Sequence, residues 1–189
     1  MLIGYGMCAS FCTVGESLKQ MRALREMGHD ILPILSQNLL STDTRFARAE
    51  DVISQIVRIT GKDNIIRDIK SAEPLGPAVI LDALIVAPCT GNTLAKVACG
   101  MSDTSVTMAI KAHLRCDRPF IVALASNDAL SQNLKNIATL LTRKNTYFVP
   151  MKQDDPLKKP HSLVADFSRL AETLTLAIQG RDNRPLFLT

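Results

Sequence analysis

The sequence predicts a three-layer α/β/α fold built on a doubly wound parallel sheet, and three observations carry that expectation. A short strand, Leu2–Tyr5, is followed by a helix with Val14, Leu18, Met21 and Leu24 at spacings of three and four, then by a second apolar strand, Asp30–Leu35. This βαβ unit within the first 36 residues favours parallel pairing with right-handed crossovers. Apolar runs at 83–87, 119–125 and 146–149 then alternate with helix-period segments, giving about five strands in all. The third observation is balance: in 189 residues, 47% apolar and 21% charged, there is enough apolar side chain to fill the core of one domain spanning 1–189.

Composition also removes whole classes of function. No run is long and apolar enough to cross a bilayer, and no basic stretch precedes an apolar one at the N-terminus, so a cytoplasmic protein is expected. Five scattered cysteines (Cys8, Cys12, Cys89, Cys99 and Cys116) suit neither a disulfide framework nor a zinc site. Cys12 and Cys89 fall in turns where one could be reactive, although small residues filling close-packed turns are the plainer reading. The net charge of +4 comes from basic residues scattered among acids, without Trp and with two Tyr, which excludes a nucleic-acid surface and suits small anions.

Taken in order, the first strand runs into Gly6–Thr13, a small polar turn. Gly4-Tyr5-Gly6-Met7-Cys8-Ala9 fits a loose dinucleotide pattern, but Ser36 stands where that pattern wants an acid at the end of the second strand. The first helix ends near Gly28. Residues 38–46 form a polar loop in which Arg45, beside Thr42 and Thr44, is either a carboxylate clamp or a surface arginine covering the next helix. That helix, Ala49–Thr60, turns Val52, Ile53, Ile56 and Ile59 inward and stops at Gly61. Asn64–Ala72 reads as a short amphipathic helix and Glu73–Pro77 as a rigid connector with two prolines.

The chain centres on Asp82–Thr93, DALIVAPCTGNT. An apolar strand breaks at Pro88 into a turn, Cys89-Thr90-Gly91-Asn92-Thr93, and a helix follows from Leu94. At the carboxyl end of a parallel strand, such a turn offers backbone N–H groups and a helix dipole to an anion, a phosphate above all. The alternative is an ordinary turn in which Thr90 or Asn92 only caps the helix, and the residue chemistry leaves both open. Asp103 is placed to cap a further helix, Ser105–Leu114, with His113 near its C-terminal dipole. Ser126–Leu130 follows the fourth strand, where Asn127 and Asp128 are caps or substrate contacts. Residues 151–161 form a charged loop with adjacent Lys158 and Lys159. A closing helix, Ser162–Gln179, carries Leu163, Phe167, Leu170, Leu174 and Ile178 on one stripe, and residues 180–189 extend away to meet another subunit.

The segment APCTGNTLAKVACGMSD resembles the Pro-Ala-Ser-Ala-Asn-Thr loop of the homo-oligomeric flavin-containing cysteine decarboxylases, in which that loop holds flavin mononucleotide (FMN). With STDTRF (41–46), AEPLGP (72–77), SNDAL (126–130) and QDDPLKKP (153–160), the chain resembles more closely the family of bacterial dipicolinate synthase B subunits. The resemblance implies a Rossmann-like flavoprotein fold, with FMN contacted by Ser10, Thr13, Ser36, Thr90, Gly91, Asn92, Thr93 and Asp103. It implies formation of pyridine-2,6-dicarboxylate from a dihydro- or hydroxytetrahydro-dipicolinate in a spore-forming cell, with Asn127 and a cation, Arg45 or Lys159, holding the substrate carboxylates. It further implies an A subunit that binds NAD(P), and a trimer-based homo-oligomer. Two departures stand out. Residues 62–82 contain no histidine where the decarboxylases place a catalytic one, and Ser126 and Leu130 replace the methionines of their substrate clamp. Three other readings remain: a phosphopantothenoylcysteine-type flavin decarboxylase, a pyridine-nucleotide reductase, and a non-catalytic partner that binds substrate or supports the A subunit.

Overall fold

In the computed structural model, which describes residues 1–189, the apolar runs assemble edge to edge into one twisted sheet. Strand β1 (Leu2–Met7) pairs in parallel with β2 (Asp30–Leu35) on one side and β3 (Ala83–Thr90) on the other. Strand β4 (Phe120–Ser126) pairs with β3, and β5 (Thr146–Phe148) with the first half of β4, again in parallel. The order β2-β1-β3-β4-β5 reverses its winding between β1 and β3, where a doubly wound sheet opens a crevice beyond its strand ends.

Helix α1 (Val14–Glu26) follows β1, while α2 (Gln37–Ser41) and α3 (Ala49–Thr60) follow β2. The short α4 (Ile69–Ala72) precedes β3; α5 (Gly91–Ala98) and α6 (Ser105–Leu114) lead to β4. Helix α7 (Leu134–Leu141) leads to β5, and α8 (Leu170–Ile178) closes the chain. Period-two alternation along β3 sends Leu84 and Val86 into a core closed by α5, α6 and α7. Ala83, Ile85 and Ala87 point into a second core under α1, α3 and α8. These are the three layers expected.

Several boundaries differ from expectation. Strand β3 does not stop at Pro88. The Ala87–Pro88 bond is cis, the register with β4 slips between Val86 and Cys89, and pairing resumes at Cys89 and Thr90. Proline has no N–H to give a ladder, and the slip carries the strand past it. Helix α5 therefore begins at Gly91 and not at Leu94. Residues 151–161 are not simply a loop: β6 (Met151–Lys152) and β7 (Leu163–Ala165) pair antiparallel, and β7 adds to the last two residues of β4. The sheet is thus mixed and seven-stranded, with five parallel members. Helix α8 begins at Leu170, after a single 3₁₀ turn at Phe167–Arg169, and not at Ser162.

Within the expected loop at 38–46 sits most of α2. Asn64–Ala72 is helical only from Ile69; Ile66 instead extends beside β2, its N–H bonding Pro33 O at 2.9 Å and its carbonyl accepting from Leu35 N at 2.9 Å. The C-terminal residues fold back on their own chain. Leu186 and Asn183 are buried, and Phe187 pairs with Met151. No helix is long and apolar enough to cross a membrane.

Candidate functional site

Because β1 to β4 run parallel, their carboxyl ends share one edge, and the loops that follow them converge there. The strap between β6 and β7 joins this edge through a bond from Leu130 N to His161 O of 2.9 Å.

The floor of the site is tied across strands. Ser17 Oγ donates to the carbonyl of Ala87, and the buried Tyr5 hydroxyl lies 3.0 Å from Ser17 O. Burial raises the Tyr5 phenol well above its usual value, so it stays a neutral donor. Cys8 N bonds Pro88 O at 3.1 Å, while Cys8 Sγ lies 3.2 Å from Thr93 Oγ1. Thr90 is the N-cap of α5: its Oγ1 accepts from Thr93 N at 3.3 Å and donates to Thr93 Oγ1 at 3.2 Å. A thiol and two hydroxyls thus link the end of β1 to the first turn of α5. The capping alternative is realised in Thr90 and not in Asn92, whose amide is exposed and unbonded.

Gly91 explains the close approach of the next loop. A Cβ there would lie 2.3 Å from Ser126 Oγ and 2.6 Å from Asn133 Nδ2, so only glycine lets α5 start against β4. Those atoms belong to a partly buried network. Ser126 Oγ donates to Asp128, Asn133 Nδ2 reaches both Asp128 oxygens at 2.9 Å, and Asn136 Nδ2 donates to Asn133 Oδ1 at 2.8 Å. Led by the Ser126 bond, these donors hold the Asp128 carboxyl below its usual range. Asp128 is a brace for its loop and leaves the Asn127 amide exposed at the rim without a partner. Asn133 and Asn136 escaped sequence reasoning; their i, i+3 spacing at the head of an amphipathic helix was the available signal.

In the turn after β1, Thr13 Oγ1 lies 2.9 Å from both Ser10 O and Ser10 Oγ. Ser36 N bonds Met7 O at 3.0 Å, which fixes the end of β2 beside the end of β1. The Ser36 hydroxyl is buried and has no partner, although Ser36 is the N-cap of α2. An orphaned buried hydroxyl costs free energy unless a ligand satisfies it. An unpartnered donor of this kind fits an acceptor-rich group such as the phosphate of a flavin nucleotide.

Other expected residues sit differently. Asp103 does not cap α6: Thr104 does, in a reciprocal capping box with Thr107, because the threonine pair satisfies both backbone donors. Asp103 instead pairs with Lys96 at 2.8 Å, which lowers its carboxyl pKa. Arg45 is exposed, its guanidinium stacked 4.8 Å over the Phe46 ring. Lys159 is paired to Asp154, whose carboxylate raises the ammonium above its usual value. Gly4 and Gly6 lie inside β1 and not in a turn, so the dinucleotide pattern has no phosphate-binding geometry. The connector 73–77 packs against the far end of α6, with Gly76 against Ala112, away from the strand carboxyl ends. Among the cysteines of the converging turns, Cys8 and Cys89 are buried with thiols pushed up by desolvation, and Cys12 is exposed.

Known proteins share this fold. The Flavoprotein family model matches residues 10–170. The B subunit of dipicolinate synthase from Bacillus subtilis is 38% identical over 186 residues, covering 98% of this chain and 92% of that protein. The crystal structure of the B subunit of dipicolinate synthase from Bacillus halodurans superposes with a TM-score of 0.91 at 39% identity, covering 100% of this chain and 96% of that one. An FMN-dependent cysteine decarboxylase, SpaF, shares the fold at a TM-score of 0.67 and 23% identity, covering 94% of this chain and 97% of that one.

Proposed function

The chain belongs to the Flavoprotein family, and from that premise we propose that it is the flavin-binding B component of a dipicolinate synthase, an oxidoreductase working with an NAD(P)-binding A subunit in the cytoplasm of a spore-forming cell. The observation that carries the proposal is the buried, partnerless Ser36 hydroxyl in a chain of the Flavoprotein family, at the edge where the polar turns converge. Ser10, Thr13, Ser36, Thr90, Gly91, Asn92 and Thr93 form the wall for FMN, and Asp103, paired with Lys96, joins it from the turn before α6.

Converting a dihydro-dipicolinate to the aromatic dicarboxylate removes two electrons and two protons, formally a hydride and a proton, and a flavin, when bound, would supply the electron acceptor. A hydroxytetrahydro substrate must first lose water. The share of this chain is orientation. Asn127, braced by Asp128, presents two amide donors to one substrate carboxylate. Arg45 or Lys159 approaches the other; each must first leave its present neighbour, Phe46 or Asp154. A trimer-based homo-oligomer and an A subunit complete the assembly in this reading.

One observation favours a second reading, that of a non-catalytic partner. Asp128 is locked by hydrogen bonds from Ser126 and Asn133, Lys159 is paired, Cys8 and Cys89 are buried, and residues 62–82 hold no histidine, so none of these groups serves as a free general base.

An absorption spectrum of the purified chain between about 300 and 550 nm, with and without added FMN, tests the proposal, because the flavin chromophore reports cofactor directly. A flavin band that co-purifies or appears on titration supports the oxidoreductase reading. If no flavin binds, that reading falls and the partner role replaces it.

A further inference from the structure

Beside Ser36 the surface folds into a cleft of about 500 Å³, lined by Gln37, Arg67, Lys70 and the Asp103–Ser105 turn together with Asp68 and Ile69. Its charges do not cancel. Asp68 is occupied in capping α4, its Oδ1 accepting from Ser71 N at 2.8 Å and Ser71 Oγ at 3.0 Å. Asp103 is neutralised by Lys96, both of its oxygens within 3.0 Å of the ammonium. Arg67 and Lys70 are exposed and have no carboxylate within ion-pair distance. They reach the strand carboxyl ends because Ile66 extends beside β2 in parallel register with Ile34, its carbonyl accepting from Leu35 N at 2.9 Å, which sets Arg67 level with Leu35, the last residue of β2.

The opposite wall is the start of α6, a helix of ten residues. The capping box there satisfies the N–H groups of Thr104 and Thr107 and leaves those of Ser105 and Val106 outside it. Ser105 Oγ ties this helix end to β2 by donating to Leu35 O at 2.6 Å. The cleft therefore has two free cations and a helix N-terminus, and its wall residue Gln37 directly follows Ser36, whose buried hydroxyl has no partner.

We propose that Arg67 and Lys70 bind a phosphate monoester in this cleft, the phosphate end of FMN being the source that the flavin reading supplies. The inference rests on that reading for the source, and on the cleft alone for the chemistry. It provides the cations that the turns at 10–13, 36 and 90–93 lack, from a segment some thirty residues downstream of Ser36 that the edge pairing of Ile66 brings alongside.

Fluorescence titration of FMN and of riboflavin onto the full chain tests it, using wild type, Arg67→Gln, Lys70→Gln and the double variant. Arg22→Gln, an exposed cation of α1, is the control. Each single change is expected to weaken FMN about three- to tenfold, the scale of one exposed charge pair, with a larger loss in the double variant and riboflavin unchanged. Raising the salt should narrow the difference between wild type and variants. Unchanged FMN affinity in the double variant overturns the proposal, as does an equal loss for both flavins. Should wild type bind neither flavin, the flavin reading fails and thermal shift with inorganic phosphate decides the cleft. A phosphate-induced shift that the double variant lacks keeps the site with another phosphate source. No shift, or one produced by pyridine-2,6-dicarboxylate and not by phosphate, overturns it.

Discussion

At the scale of single residues, Gly91 and His113 show how position governs chemistry. Alanine at 91 would drive a methyl group into Ser126 Oγ and Asn133 Nδ2, two members of the partly buried network that ties down Asp128, next to Asn127. Gly91→Ala is therefore expected to cost about 1–3 kcal/mol by overpacking, read as a lower denaturation midpoint, and to weaken flavin binding at the shifted α5 terminus. His113 is fully buried at the other end of α6. Its Nε2 donates to Pro119 O at 2.9 Å, and its Nδ1 faces no partner. Burial, the main cause, lowers its pKa below the usual 6.5. The unfolded chain then takes up a proton that the native state refuses, so stability is fully present above about pH 6.5 and falls as the pH drops from there towards the native pKa. Melting temperatures recorded from pH 7.5 to 5 should fall in wild type and stay flatter in His113→Gln, which keeps a donor for Pro119 O. Parallel curves would assign the acid sensitivity to other groups. Thr90 and Asn92 were legible as polar turn residues. Their division of labour was not, because capping and phosphate binding use the same side chains until the backbone places Thr93 N against one of them.

At the scale of elements, what the sequence states clearly is what period and length can state. Strands β1 to β4 and helices α1, α3 and α6 are long enough for an apolar pattern to repeat, and each lies close to where that pattern puts it. The β6–β7 strap was hidden because strands of two and three residues carry no measurable alternation, and their pairing joins residues more than ten apart. Pro88 misled for the opposite reason. A strand breaker was read correctly in isolation, but the register slip against β4 absorbs it. The start of α6 is where a local rule was right in kind and wrong by one residue, since Thr104 outcompetes Asp103 by sharing its cap with Thr107. Thr104→Ala should cost about 1 kcal/mol through loss of the cap, whereas Asp103→Asn should leave the melting temperature nearly unchanged because an exposed ion pair contributes little. Equal losses in the two variants would mean that the Lys96–Asp103 pair, and not the capping box, secures this turn.

At the scale of the whole molecule, the last ten residues connect the far edge of the sheet to the candidate site. They read as a polar extension, since only Leu186, Phe187 and Leu188 in them are large and apolar. The fold instead threads them beside β6: Met151 N bonds Leu186 O at 2.8 Å and Leu188 N bonds Met151 O at 2.9 Å. Asn183 is buried where it receives a 2.7 Å bond from Arg169 and donates to Thr173 Oγ1 at 3.0 Å. Strand β6 carries the strap that returns through His161 to hold Leu130, three residues beyond Asn127. Removing residues 180–189 thus strips one side of β6, exposes Met151 and loosens the strap that limits the Asn127 loop. Burial of Leu186 at about 2 kcal/mol, with several hydrogen bonds of about 1 kcal/mol each, sets the expected loss near 3–5 kcal/mol. The truncated chain should retain its sheet, show a lower denaturation midpoint, and exchange amide hydrogens faster at 151–165 and 127–131 than in wild type. The N–H groups of β1 and β3, buried on both sides, should keep their protection. If exchange rises only at the cut end, the tail is an ornament of the edge; if it rises in the Asn127 loop as well, the C-terminus is part of what holds the site in shape.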